Sequence, residues 1–96
     1  SFTPIDVARF PAISLARHCG EIGNGLPAVF NAANEVAVQA FVDGSISFTQ
    51  IVKTVSAVVE KMSASALVAP RDLADVSAIE EDARQVASSE VAQARA

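Results

Sequence analysis

Apolar residues along this chain recur mostly at three- and four-residue steps, the spacing that lines one face of a helix turning every 3.6 residues. Four segments carry the pattern. Ala12, Leu15, Ala16 and Cys19, with Ile13 beside them, predict a first helix. It opens at Pro11, where a missing backbone N–H costs nothing, and Gly20 is read as its left-handed end. Leu26, Val29, Phe30, Ala33, Ala37, Ala40 and Phe41 predict a second helix, starting at or next to Pro27 and stopping at Gly44. Phe48, Ile51, Val52, Val55, Val58, Val59 and Met62 make the cleanest stripe, behind a capping box of Ser47 and Gln50. Its β-branched content alone suggests a strand, but alternation at period two fails and the run is too long. Val76, Ile79, Ala83, Val86, Val91 and Ala94, flanked by Ala87 and Glu90, form the fourth stripe. A second capping box, Ser77 with Glu80, is placed at its start, where Glu80, Glu81 and Asp82 suit the positive end of the helix dipole. Asp72 is read as the cap of a separate short turn holding Leu73 and Val76.

Between these segments lie breaks. Residues 1–9 carry Pro4 and no periodicity, and read as an extended linker. Gly20 to Gly25 is a flexible connection, and residues 63–70 form a loop with a small apolar plug. The predicted fold is all-α: a four-helix up-and-down bundle over residues 10–96, preceded by the linker over 1–9.

One polar cluster interrupts the second helix. Asn31, Asn34 and Glu35 are three and four residues apart and so share a patch of its surface. Asn disfavours a helix interior, so two in an Ala-rich stretch point to a contact with something outside the helix. A solvated outer face is the alternative.

Composition narrows the function classes. The chain has 96 residues, 51% hydrophobic and 19% charged, which suits one globular domain with one core. Aromatics are 5%, all Phe, so there is no wall of Trp or Tyr for stacking bases. The net charge of −4 and seven scattered Lys and Arg argue against nucleic acid and anionic membranes as partners. No apolar run approaches the ~20 residues of a membrane span. One Cys cannot form an internal disulfide; Cys19 reads as a small buried hydrophobe, and a cytoplasmic location fits. The initial Ser in place of Met suggests a fragment of something longer.

Candidate chemistry is sparse. Gly23-Asn-Gly25-Leu-Pro27-Ala28 superficially matches a dinucleotide fingerprint, but that motif needs a preceding strand, and here a helix precedes it. His18 is the single histidine and has only Glu21 near it as a further metal ligand. His18 and Cys19 are adjacent and point apart on a helix, so neither serves the other in nucleophilic catalysis. The residues themselves predict no catalytic, cofactor or metal site within this chain.

Read with its flanks, the polar cluster belongs to a longer pattern. Phe2-x-x-Pro4-x-Asp6-x-x-x-Phe10-Pro11-x-Ile13-x-Leu15-Ala16 leads to Asn31-Ala32-Ala33-Asn34-Glu35 and Ala40-Phe41. Ile46-x-Phe48-x-x-Ile51 and Ala83-Arg84-x-x-Ala87 follow in order. Together they resemble the C-terminal domain of the 1-deoxy-D-xylulose 5-phosphate reductoisomerase family, from Phe2 to about Glu90, with Ile13 where Leu is more usual. The resemblance implies a parent enzyme that converts 1-deoxy-D-xylulose 5-phosphate to 2-C-methyl-D-erythritol 4-phosphate in non-mevalonate isoprenoid synthesis. It further implies NADPH and Mg²⁺ or Mn²⁺ as cofactors of a homodimeric full-length enzyme, held by N-terminal and central domains, with none in this fragment. This domain would support the catalytic unit, with Asn31, Asn34 and Glu35 contacting the linker or the central domain, and would be inactive alone. A free-standing helical interaction module is the alternative reading, and a small independent enzyme a third that lacks a site.

Overall fold

A computed structural model describes residues 11–63 and 69–95, with side chains for residues 17–63 and 69–94. The linker over 1–9, the stripe residues Ala12, Ile13, Leu15 and Ala16, and most of the apolar plug lie outside these limits. Four helices make up the described chain: α1 Pro11–Ile22, α2 Leu26–Val42, α3 Phe48–Met62 and α4 Leu73–Arg95. The fold is an all-α bundle. Helix α2 is its centre, packed against both α3 and α4, while α1 lies mainly on α2. Helices α2 and α4 run alongside each other, so that Glu35 meets Arg84, and Ala40 and Asp43 flank the same groove as Val91.

The helix boundaries follow from local chemistry. Helix α1 does not stop at Gly20 but runs on to Ile22. The left-handed residues come later, Gly23 at φ 72° and Asn24 at φ 55°, and the Gly23 N–H closes the turn onto the Cys19 carbonyl at 2.9 Å. Helix α2 ends as the pattern predicts. Gly44 sits at φ 80°, its N–H donating to Phe41 O at 3.0 Å while Ser45 N–H donates to Ala40 O at 2.8 Å, a complete Schellman motif. The capping box of α3 is present, with the Ser47 N–H donating to Gln50 Oε1 at 2.7 Å. On either side of it Ile46 and Ile51 are both buried, the positions of a hydrophobic staple that fixes how the chain enters α3.

Helix α4 begins earlier than the sequence pattern suggests. Asp72 is a cap as the pattern suggests, but it caps α4 itself and not a separate short turn: Asp72 Oδ1 accepts the Asp75 N–H at 2.9 Å. Asp75 in turn accepts from both the backbone N–H and the guanidinium of Arg71, at 2.9 Å each. With the first turn sealed this way, nothing interrupts the helix before Ser77. Ser77 and Glu80 are therefore interior, and Glu80 sits 4.0 Å from Arg84 one turn on rather than in a cap.

The core is built from small side chains. Ala32, Ala33, Ala37 and Ala40 of α2 and Ala83 and Ala87 of α4 join Leu26, Val29, Val55 and Val58 in one buried cluster. Small residues let helix axes approach closely. Among the predicted stripe positions, Phe48 is 71% exposed and Phe41 40%. Phe48 is the first residue of α3, where Ile46 already fills the inward position. Thr54 and Ala32 are buried although neither was in a predicted stripe, and Ala94 is exposed.

Candidate functional site

The three polar residues singled out on α2 take different roles. Asn31 is exposed and Asn34 half-buried, and among the described residues neither side chain makes a hydrogen bond. Glu35 is engaged within the bundle. Its Oε2 accepts from Arg84 Nε at 3.1 Å, tying α2 to α4 across 49 residues of sequence. The Glu35 hydrogen bond raises the Arg84 pKa above its ordinary value, so the guanidinium is firmly cationic. The two partners were visible separately, Glu35 in the polar run and Arg84 in the last matching segment. Only the packing of α4 on α2 reveals that they pair.

The stripe that begins with Asn31 and Asn34 continues down α2 as Val38, Phe41 and Val42, at the same three- and four-residue steps. Val38 is 39% exposed and Val42 69%. Across the turn Phe48 meets Phe41 edge to face, ring centroids 5.8 Å apart at 69°. The sequence contained a signal for this: α2 is apolar around most of its circumference, more than one buried face requires. Reading Phe41 as core concealed it.

Elsewhere the ionisable groups form small ion pairs, Arg71 with Asp75 and Lys61 with Glu90. Among the described residues no three His, Cys, Asp or Glu side chains are grouped so as to hold a metal ion. His18 is exposed beside a buried Cys19, whose thiol pKa is raised by burial and which therefore stays protonated and unreactive. The Gly23–Gly25 turn is occupied with its own backbone bonds, Leu26 N–H to Gly23 O at 3.1 Å and Val29 N–H to Gly25 O at 3.1 Å, with a helix on either side. It does not fit a dinucleotide phosphate in the way a strand-to-helix turn would. A groove of about 540 Å³ between α2 and α4, lined by Glu35, Gln39, Asp43 and Ser88 among others, is open to solvent. No helix among the described residues is long and apolar enough to cross a membrane.

Comparison with known proteins gives one consistent result. A family model described as the DXP reductoisomerase C-terminal domain matches residues 1–86. The chain is 57% identical over 60 residues to the 1-deoxy-D-xylulose 5-phosphate reductoisomerase of Nocardia farcinica, covering 62% of the chain and 15% of that protein. Identity to the same enzyme of Rhodospirillum centenum is 45% over 94 residues, covering 98% of the chain and 23% of the relative. With that of Mycobacterium avium it is 41% over 97 residues, covering 98% and 24%. The chain thus spans at most about a quarter of the length of these relatives.

Proposed function

The chain belongs to the family of DXP reductoisomerase C-terminal domains, and from that premise we propose that it is the helical support of an enzyme whose chemistry lies elsewhere in the polypeptide. The observation that carries this reading is the match along almost the whole chain to proteins about four times as long. The parent enzyme converts 1-deoxy-D-xylulose 5-phosphate to 2-C-methyl-D-erythritol 4-phosphate, using NADPH and Mg²⁺ or Mn²⁺, as a cytoplasmic homodimer. Neither the metal nor the dinucleotide fits the residues described here.

Support operates through docking. Asn31 and Asn34 offer donors and acceptors without a partner in the bundle, which suits a junction with the linker or the catalytic domain. Glu35 lies exposed beside them and ties α4 to α2 at the edge of that surface through Arg84. A rescue assay tests the reading. A reductoisomerase truncated before the position equivalent to Phe2, shown by circular dichroism to be folded, is mixed with this chain, and substrate-dependent NADPH oxidation is followed. Activity restored in the mixture, with the chain silent alone, is the expected result. A truncated enzyme that is fully active without the chain would refute a supporting role.

A further inference from the structure

Six large apolar side chains are substantially exposed among the described residues, and four of them, Val38, Phe41, Val42 and Phe48, gather at the α2–α3 corner. They are not spillover from an incomplete core. The interior of the bundle is closed without them, by Ala37, Ala40, Ile46, Ile51 and Val55. Nor are they scattered singly, as exposed apolar residues on a soluble surface normally are. Phe41 and Phe48 hold each other edge to face, which limits the freedom of both rings before any partner arrives. The cluster is also continuous, along one stripe of α2, with the unpartnered amides of Asn31 and Asn34.

We propose that Val38, Phe41, Val42 and Phe48 form the apolar half of one docking face, with Asn31 and Asn34 as its polar half, covered by the part of the reductoisomerase polypeptide that the relatives carry beyond this domain. The inference rests on the supporting role proposed above and extends it to the corner of the bundle. The occupant follows from length. Relatives that align with 98% of this chain devote only 23% or 24% of their own length to it, so most of their polypeptide is tethered to this domain. A tethered partner competes at high effective concentration with any free one. The mixture along the stripe is also of the right kind, since contacts between domains of one chain combine polar and apolar area.

Carbene footprinting of the unmodified full-length enzyme tests this. A photolysed diazirine inserts into any exposed side chain, and mass spectrometry reads the yield at each peptide in the native and the urea-unfolded protein. The peptides holding Phe41–Val42 and Phe48 are expected to be protected about tenfold on folding, where a surface open to solvent would show much less. Protection at the Asn31 and Asn34 side chains themselves, read residue by residue because Ala32 and Ala33 between them are buried in the bundle, without protection at Phe41–Val42 and Phe48 would overturn this inference and leave docking through the amides standing. No protection at either place would overturn both. Protection at the corner that disappears on dilution would assign the face to a second copy and likewise overturn the tethered occupant.

Discussion

Replacing Ala37 by Leu tests directly whether the bundle depends on small side chains. Ala37 has no exposed surface and shares a cluster with Ala33, Ala87 and Val58, each also fully buried. Leu adds three carbon atoms at this point. Were there room for them, burial at about 0.8 kcal/mol per methylene would stabilise the fold by roughly 2 kcal/mol. Interiors packed to crystal-like density have no such room, and forcing extra carbons in costs typically about 1–3 kcal/mol net through off-rotamer side chains and shifted helices. The two terms have opposite signs, so the sign of the change decides between them. Urea unfolding followed by circular dichroism is the assay. With a slope of about 1 kcal/mol per molar urea for a chain this short, the midpoint is expected to fall by roughly 1–3 M. Ala78→Leu, on the exposed face of α4, serves as the control and should stay within ~0.5 kcal/mol of the parent. An unchanged or higher midpoint for Ala37→Leu would refute the close-packed interface and imply a void beside α2.

Gly20→Ala and Gly44→Ala should act in opposite directions, although a Cβ at either site meets nothing within 4 Å. Gly20 lies inside a helix, where Ala is favoured by about 1 kcal/mol, so the melting temperature rises; Gly44 at φ 80° requires the left-handed conformation, so Ala there costs about 1–2 kcal/mol and the melting temperature falls. Asp75 is held below its ordinary carboxylate pKa by hydrogen bonds from the side chain and the backbone N–H of Arg71. A folded pKa below the unfolded one gives stability that is present above the unfolded value, about 4, and lost as pH falls through the folded one. The gap in urea midpoint between the parent and Asp75→Asn should therefore be constant near neutrality and close in acid below that value; a gap that widened in acid would contradict the assigned hydrogen bonds.

Much of this architecture was legible in the residues because the helices are amphipathic and their ends are chemically marked. Gly44 and the Ser47–Gln50 box each act within a few residues of themselves, and each stands where the pattern put it. Errors arose where two local signals competed. Gly20 and Gly23 can both end a helix, and only the backbone bond from Gly23 to Cys19 decides which does. Asp72 and Ser77 can both begin one, and the Arg71–Asp75 pair favours the earlier start. Periodicity also cannot say how much of an apolar helix surface the rest of the bundle will cover. For that reason spacing alone puts Phe41 and Phe48 inside, where the fold leaves both exposed at the apolar end of the α2 stripe. Asn31 and Asn34 were legible as unusual residues because their type conflicts with their helical context. The Glu35–Arg84 pair was not, because it depends on tertiary packing.

Cys19 has a consequence for following the protein in motion. Its side chain is 1% exposed and its thiol is held protonated by burial at the end of α1 nearest the turn into α2. A disulfide-exchange reagent needs both access and thiolate, so the native state is nearly inert to it. Reaction then proceeds through moments when α1 lifts from α2. The only sulfhydryl of the chain is in this way a built-in clock for the opening of its first helix, readable without altering a single residue.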